Sequence, residues 1–517
     1  MQNPVRTALV ACAIVLVSAC RPAFRPAHPA DPADPAHAAR PAHPAHSQLE
    51  RDIDAILARP ALERGYWGVL VKSLKTGETL YARNPKKLMM PASNMKIVTL
   101  AASADRLGWD YTYTTRFFSV GPIDAGVLQG DVLVVGSGDP SFGLTDGSAA
   151  SAFDACAERL KAMGVRTILG RIIGDDNAFD DEGLGFGWSW DDLPDDYAAA
   201  VSALQFDENA ARVTVTPGPA AGEIAGVGIE PPGSGLTIDS RLRTGAEGST
   251  ASIQATRLPG SSRLELRGSI PLGSAPTTWF VSVDNPTLFL VSAFRDGLIA
   301  RGIDVRGPAL DIDNIDDIDH IDHIHHVANA RPPDHAIELT THRSPPLSTL
   351  AMRLMKASQN LYAETLLKTL GAASGTPTAL AGRTQAEVAL QAWGIAADGM
   401  ILRDGSGLSR YDYVTPETLV TILTHVAGDE KLRGPFDASL PIAGRDGTLA
   451  TRMKGTPAEG MVRAKTGSMA NVRALSGYAT STAGEPLVFS IIANNFEAPG
   501  AFIVNAIDAI VVALVQN

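Results

Sequence analysis

Pro91-Ala92-Ser93-Asn94-Met95-Lys96 opens an alanine-rich apolar run that ends near Leu107. Pro and Ala ahead of the serine, with no further Pro or Gly before Gly108, read as a helix start. With Ser93 in the first turn, Lys96 lies three residues on and shares its helix face. That spacing sets an amine beside a hydroxyl. A neutral lysine takes the serine proton, and the serine oxygen then attacks a carbonyl. The N–H groups of the helix start add a positive field where an oxyanion would form. Ser-x-x-Lys occurs nowhere else in the chain. Alone it also describes an ordinary exposed helix start, so its meaning depends on partners elsewhere.

Two such partners follow, Ser358-x-Asn360 and Lys465-Thr466-Gly467. The chemistry explains the set. A nearby cation such as Lys465 lowers the pKa of Lys96. Ser358 relays a proton to a leaving amine, and Asn360 holds both a substrate amide and Lys96. Lys465 and Thr466 bind a terminal carboxylate, and the N–H groups of Ser93 and Ser468 form an oxyanion hole. An earlier Lys75-Thr76-Gly77 also matches the third motif. It lies between two hairpin strands, where a glycine turn is expected, and precedes the nucleophile, so it receives no catalytic role.

In this order the motifs resemble those of class C low-molecular-mass penicillin-binding proteins, the D-alanyl-D-alanine carboxypeptidase/endopeptidase family. The likeness covers nearly all of 48–517. It includes Gly138-Asp139-Pro140-Ser141-Phe142, Gly187-Trp188-Ser189-Trp190-Asp191-Asp192, Leu361-Tyr362-Ala363-Glu364 and Asp404-Gly405-Ser406-Gly407. A large insert between the first two motifs, where 264 residues separate Ser93 from Ser358, belongs to the same pattern. The resemblance implies a mixed α/β (α+β) fold. A transpeptidase domain with a five-stranded antiparallel sheet is split into 48–107 and 336–517. An inserted domain spans 108–335, with a small β domain near 210–275 nested in it. It implies Ser93 as nucleophile, Lys96 as base, Ser358 with Asn360 as relay, and Lys465, Thr466, Gly467 and Ser468 on the carboxylate side. Asp175, Arg410 and Met469 would line the pocket for a diamino-acid side chain. Gln359 departs from the family's usual Asp or Asn, at an outward position. The implied partners are peptidoglycan stem peptides, with β-lactams as inhibitors and no metal or organic cofactor. A serine β-lactamase and a non-catalytic cell-wall scaffold of the same fold remain the rivals.

The N-terminus reads as a targeting segment. Arg6 precedes an apolar stretch from Ala8 to Val17 that is too short to span a bilayer. Val17-Ser18-Ala19-Cys20 resembles the lipobox of bacterial lipoproteins, so residues 1–19 would be removed and Cys20 lipidated; a plain secretory signal is the alternative. Arg21 after the cysteine favours the outer membrane over the inner. Residues 20–47, rich in Pro, Ala and His, read as a periplasmic spacer. Once the signal is removed and Cys20 lipidated, only Cys156 is left free, so the chain has no internal disulfide. A net charge of −12 without a basic stripe excludes nucleic acid as a partner.

Periodicity supplies the remaining expectations. Leu49, Ile53, Ile56 and Leu57 share a helical face. Trp67–Leu74 and Thr79–Arg83 form a hairpin. Thr167–Gly174 is one strand, and Ala149–Met163 and Pro286–Arg301 are helices. A Gly-rich link precedes a helix at Gln385–Trp393, and another helix spans Pro416–Ala427. Lys465 starts a strand, followed by strands Val472–Thr480 and Leu487–Asn494 and an amphipathic helix at Ala501–Val515. Asp311–His326, a run of Ile, Asp and His, reads as a surface insertion rather than a metal site.

Overall fold

The computed structural model describes residues 47–315 and 336–517. The signal segment, Cys20, the spacer to residue 46 and most of the Asp/His run lie outside the described residues.

The central layer is a five-stranded antiparallel sheet. Its strands are β1 (Tyr66–Ser73), β2 (Thr79–Arg83), β3 (Val462–Met469), β4 (Val472–Thr480) and β5 (Pro486–Asn494), in the order β2-β1-β5-β4-β3. β1 and β5 are buried along nearly their whole length, as strands covered on both faces must be. One face carries α1 (Gln48–Leu57) and the C-terminal helix (Gly500–Gln516). A capping box starts α1: Glu50 N–H donates to Ser47 Oγ, and Glu50 Oε2 accepts from Ser47 N–H. Leu49, Ile53, Ile56 and Leu57 face the sheet as the periodicity requires.

The other face holds α2 (Met95–Leu107), every residue of which is buried from Met95 to Ala104. A helix buried all round belongs at the centre of a layer. Around it pack α3 (Leu347–Lys356), α4 (Asn360–Ala373), α5 (Ala379–Ala392), α6 (Pro416–Gly428) and α7 (Glu430–Ser439). α5 begins six residues before the expected Gln385. Thr378 caps it by accepting from Ala381 N–H, and Gly382, which looks like a linker residue, lies inside it. A Cβ on Gly382 would stand 1.7 Å from Leu367 O, so glycine is what lets α5 lie against α4. α7 has no counterpart in the periodicity reading, because Gly434-Pro435 interrupts it; Asp429 starts it by accepting from Lys431 N–H and Leu432 N–H.

The chain between α2 and α3 builds further sheets. One has five strands in the order 309–311, 172–175, 131–136, 114–120, 337–343. Its last strand, Ile337–Arg343, runs antiparallel to Thr114–Val120. Residues 337–343 thus join the sheet built by the chain between α2 and α3. The expected strand Thr167–Gly174 is two strands, Thr167–Ile168 and Ile172–Asp175, in different sheets. At the crossing, Leu169 N–H donates to Leu128 O and Ile172 N–H to Pro308 O. Residues 210–282 hold seven short strands and no helix, with their own apolar cluster. Thr277–Ser282 pairs antiparallel with Ala210–Thr216.

Candidate active site

Ser93 lies in a 3-10 turn, Ala92–Asn94, that runs straight into α2. Ala92 has φ 46°, a left-handed conformation that costs a non-glycine residue about 1–3 kcal/mol. Asn94, fully buried, donates from Nδ2 to Lys465 O at 3.2 Å and ties the turn to β3. β3 comes so near that a Cβ on Gly467 would stand 2.5 Å from Pro91 O. The glycine of the third motif is therefore a spacing requirement.

Nearly one turn after Ser93, at the second residue of α2, Lys96 is fully buried. Its Nζ has three oxygen neighbours: Ser93 Oγ at 2.9 Å, Asn360 Oδ1 at 2.6 Å and Ser406 O at 2.9 Å. Asn360 Nδ2 donates to Tyr197 O at 2.7 Å, which fixes the amide so that its oxygen faces Lys96. Two of the three neighbours are carbonyl oxygens and only accept. A neutral amine has two N–H bonds and one lone pair. With the N–H bonds spent on Asn360 and Ser406, the lone pair is left to accept from the Ser93 hydroxyl.

Burial brings Lys96 down to about 7, against the charges of Asp404, Glu364 and Asp412, which raise it. Burial and then the Lys96 charge hold Lys465 well below the usual lysine range. This departs from the expectation that Lys465 lowers Lys96. Burial is what lowers Lys96, and the Lys96 charge in turn acts on Lys465. Lys465 Nζ donates to Ser358 Oγ at 2.7 Å and Thr466 O at 3.0 Å. Ser358 sits between α3 and α4 at φ 64°. So a left-handed non-glycine residue immediately precedes the first motif and another opens the second, the kind of stored strain that collects at functional sites. β3, expected to start at Lys465, starts three residues earlier at Val462.

β3 is an edge strand. Ala464 N–H donates outward to Pro441 O, and Val462 O accepts from Ala443 N–H. The two-residue period then carries the Thr466 and Ser468 N–H groups to the same edge. Thr466 Oγ1 shares a hydrogen bond with Thr448 Oγ1 at 2.8 Å.

The inserted region also reaches these residues. Glu208 accepts from Arg353 at 2.7 and 2.8 Å and from Gln359 Nε2 at 2.7 Å, inside the second motif. Asp207, Glu208 and Asn209 all have positive φ. Trp188 Nε1 donates to Asp404 Oδ2 at 2.8 Å. Neither Tyr197 nor Glu208 has a signal in the sequence, since one acts through its backbone and the other from an acidic stretch.

Asp175 ends the strand Ile172–Asp175, where burial raises its carboxyl; it accepts from Asn177 N–H at 3.1 Å and Nδ2 at 3.0 Å. Arg410 is exposed on the loop after Ser409. Met469 ends β3, and its carbonyl accepts from Arg473. None of the three bonds to a motif residue among the described residues.

The D-Ala-D-Ala carboxypeptidase 3 (S13) family matches residues 49–516. A D-alanyl-D-alanine carboxypeptidase of Actinomadura sp. (strain R39) is 38% identical over 485 residues, covering 91% of this chain and 85% of the relative. The D-alanyl-D-alanine carboxypeptidase DacB of Haemophilus influenzae is 26% identical over 434 residues, covering 83% and 85%. The crystal structure of penicillin binding protein 4 from Haemophilus influenzae superposes with a TM-score of 0.77 at 24% identity, covering 90% of this chain and 99% of that one. The same protein has been crystallised with a β-lactam, and that structure superposes with a TM-score of 0.72 at 23% identity, covering 91% and 100%.

Proposed function

The chain belongs to the D-Ala-D-Ala carboxypeptidase 3 (S13) family, and from that premise we propose that it is a serine D,D-peptidase working through an acyl-enzyme on Ser93. The observation that carries the reading is the Lys96 amine, with two carbonyl acceptors and one hydroxyl around it. Lys96 takes the Ser93 proton, and Oγ attacks the carbonyl of the penultimate D-alanine of a stem peptide. The oxyanion accepts from the N–H groups of Ser93 and Ser468. The proton passes by way of Ser358 to the leaving amine, which departs as free D-alanine or as the diamino-acid end of a cross-link. The terminal carboxylate lies against Thr466 and Lys465 and supplies the counter-charge that burial denies Lys465. Water then releases the acyl group. A penicillin enters by the same attack, but its leaving group stays tethered, so its release is slow. Asp175, Arg410 and Met469 contribute to the pocket for the diamino-acid side chain. Processing at Cys20 anchors the enzyme by lipid in the periplasm; no described helix is long and apolar enough to cross a membrane.

The test is labelling of the full-length protein by a fluorescent penicillin beside S93A, followed by D-alanine release from a synthetic stem peptide. Stoichiometric, long-lived label lost in S93A supports the reading. No label on folded protein refutes it, and rapid multiple turnover of the penicillin replaces it with a β-lactamase.

A further inference from the structure

Behind Lys96 lies a layer of buried carboxylates that the acylation steps do not use. Glu364, on α4 one turn past Asn360, is buried. Its two oxygens accept from Gly405 N–H at 3.0 and 2.9 Å, and one also accepts from Ser406 N–H at 2.7 Å. Thr99, one turn past Ser93–Lys96 on α2, donates to Gly405 O at 2.7 Å. The Gly405–Ser406 backbone is thus gripped from two helices, and the next carbonyl along, Ser406 O, is the second acceptor of the Lys96 amine. Asp404 and Asp412 close the rest of the loop: Asp404 accepts from Gly407 N–H and Ser409 N–H, and Asp412 from Arg403 N–H.

We infer that Glu364 is a positioning residue for Lys96: by holding the Gly405–Ser406 backbone it fixes the carbonyl that aims the amine's lone pair at Ser93. This rests on the reading of Ser93 as nucleophile and Lys96 as base. If Ser406 O swings away, one N–H of Lys96 loses its acceptor, and the amine is free to turn that N–H toward the serine. A lysine donating to Ser93 cannot take its proton. Glu364 also acts through its charge. Burial and the neighbouring Asp404 raise its carboxyl, while the Ser406 and Gly405 donors lower it. Three backbone N–H donations meet its oxygens and favour the ionised form, and in that form its charge holds the Lys96 proton on more tightly. The charged groups around Lys96 are Glu364 from α4, Asp404 and Asp412 from the loop, and Lys465 from β3.

E364Q keeps the side chain's shape and removes the charge. T99V keeps the charge and releases Gly405 O. The acylation rate with a fluorescent penicillin is followed from about pH 5 to pH 9 for full-length wild type, E364Q and T99V, with thermal midpoints and circular dichroism as folding controls. In folded E364Q the plateau rate falls on the order of tenfold or more, and the acid limb moves to lower pH by on the order of one unit. T99V lowers the plateau and leaves the limb in place. A wild-type plateau in E364Q, or a lowered plateau with an unmoved limb, overturns the inference, the second because a purely structural role predicts it. Should E364Q not fold, T99V decides: a wild-type rate in it overturns the inference. Wild type that takes no label on Ser93 condemns the parent reading instead, so the two failures are separable.

Discussion

Lys96→Met removes the buried amine, keeps the stem length and makes a measurable claim about energy. The folded protein releases the Lys96 proton near pH 7, whereas the unfolded chain keeps it to the ordinary 10.5. Between those values the unfolded state binds more protons, so wild-type stability rises with pH by about 1.4 kcal/mol per unit. The contribution is fully present above the unfolded pKa and lost as pH falls to the folded one. Its whole span is on the order of 5 kcal/mol, undiscounted for solvent because the amine is fully buried. K96M lacks this slope. It strips Asn360 Oδ1 and Ser406 O of a donor, at about 1–3 kcal/mol each, a cost independent of pH. At pH 7 the variant is therefore about as stable as wild type. By pH 9 wild type has gained roughly 3 kcal/mol on it. Denaturant titrations of both proteins at pH 7, 8 and 9 read the gap directly. Acylation by penicillin is lost in K96M at every pH, by about 100-fold or more. A stability gap that is the same at all three pH values refutes the reasoning, since Lys96 would then not titrate in that window.

Ser358→Gly relieves the φ of 64°, so thermal stability holds or rises, while acylation falls about 10- to 100-fold for want of the relay hydroxyl. Glu208→Ala costs under about 1 kcal/mol, since Arg353 is half exposed, yet slows labelling about tenfold by slackening the turn at Gln359; an unchanged labelling rate shows that this grip does not reach Ser358. Gly382→Ala forces α4 and α5 apart, costing about 2–3 kcal/mol in a thermal melt, with the label per folded molecule unchanged.

What the sequence displayed well was chemistry held in short spacings. Ser93 and Lys96 meet because three residues make nearly one helical turn, and Lys465 and Thr466 alternate because β3 is extended. The decoy Lys75-Thr76-Gly77 is the β1–β2 turn, with Gly77 at φ 74°. What it hid were contacts made between segments. Glu364 left one trace, an acid inside the apolar helix Asn360–Ala373, which is costly unless donors surround it. Asp412 left none, and Asp404 showed only as part of the resemblance, because acids among Gly and Ser read as a solvated turn. Gly382 and Gly434-Pro435 were misleading for the opposite reason: residues that usually break helices are kept inside α5 and α7 by tertiary packing.

The bond from Asn360 to the inserted region ends on a main-chain oxygen, Tyr197 O. Every amino acid offers that same oxygen. Point changes at 197 are therefore nearly invisible to Lys96, whatever they do to the ring. A residue gained or lost between Asp191 and Ala200 is another matter, for it slides a different peptide group under the amide and leaves the Asn360 oxygen unaimed. Descendants of this enzyme should tolerate free choice at 197 and almost no change in the length of that loop.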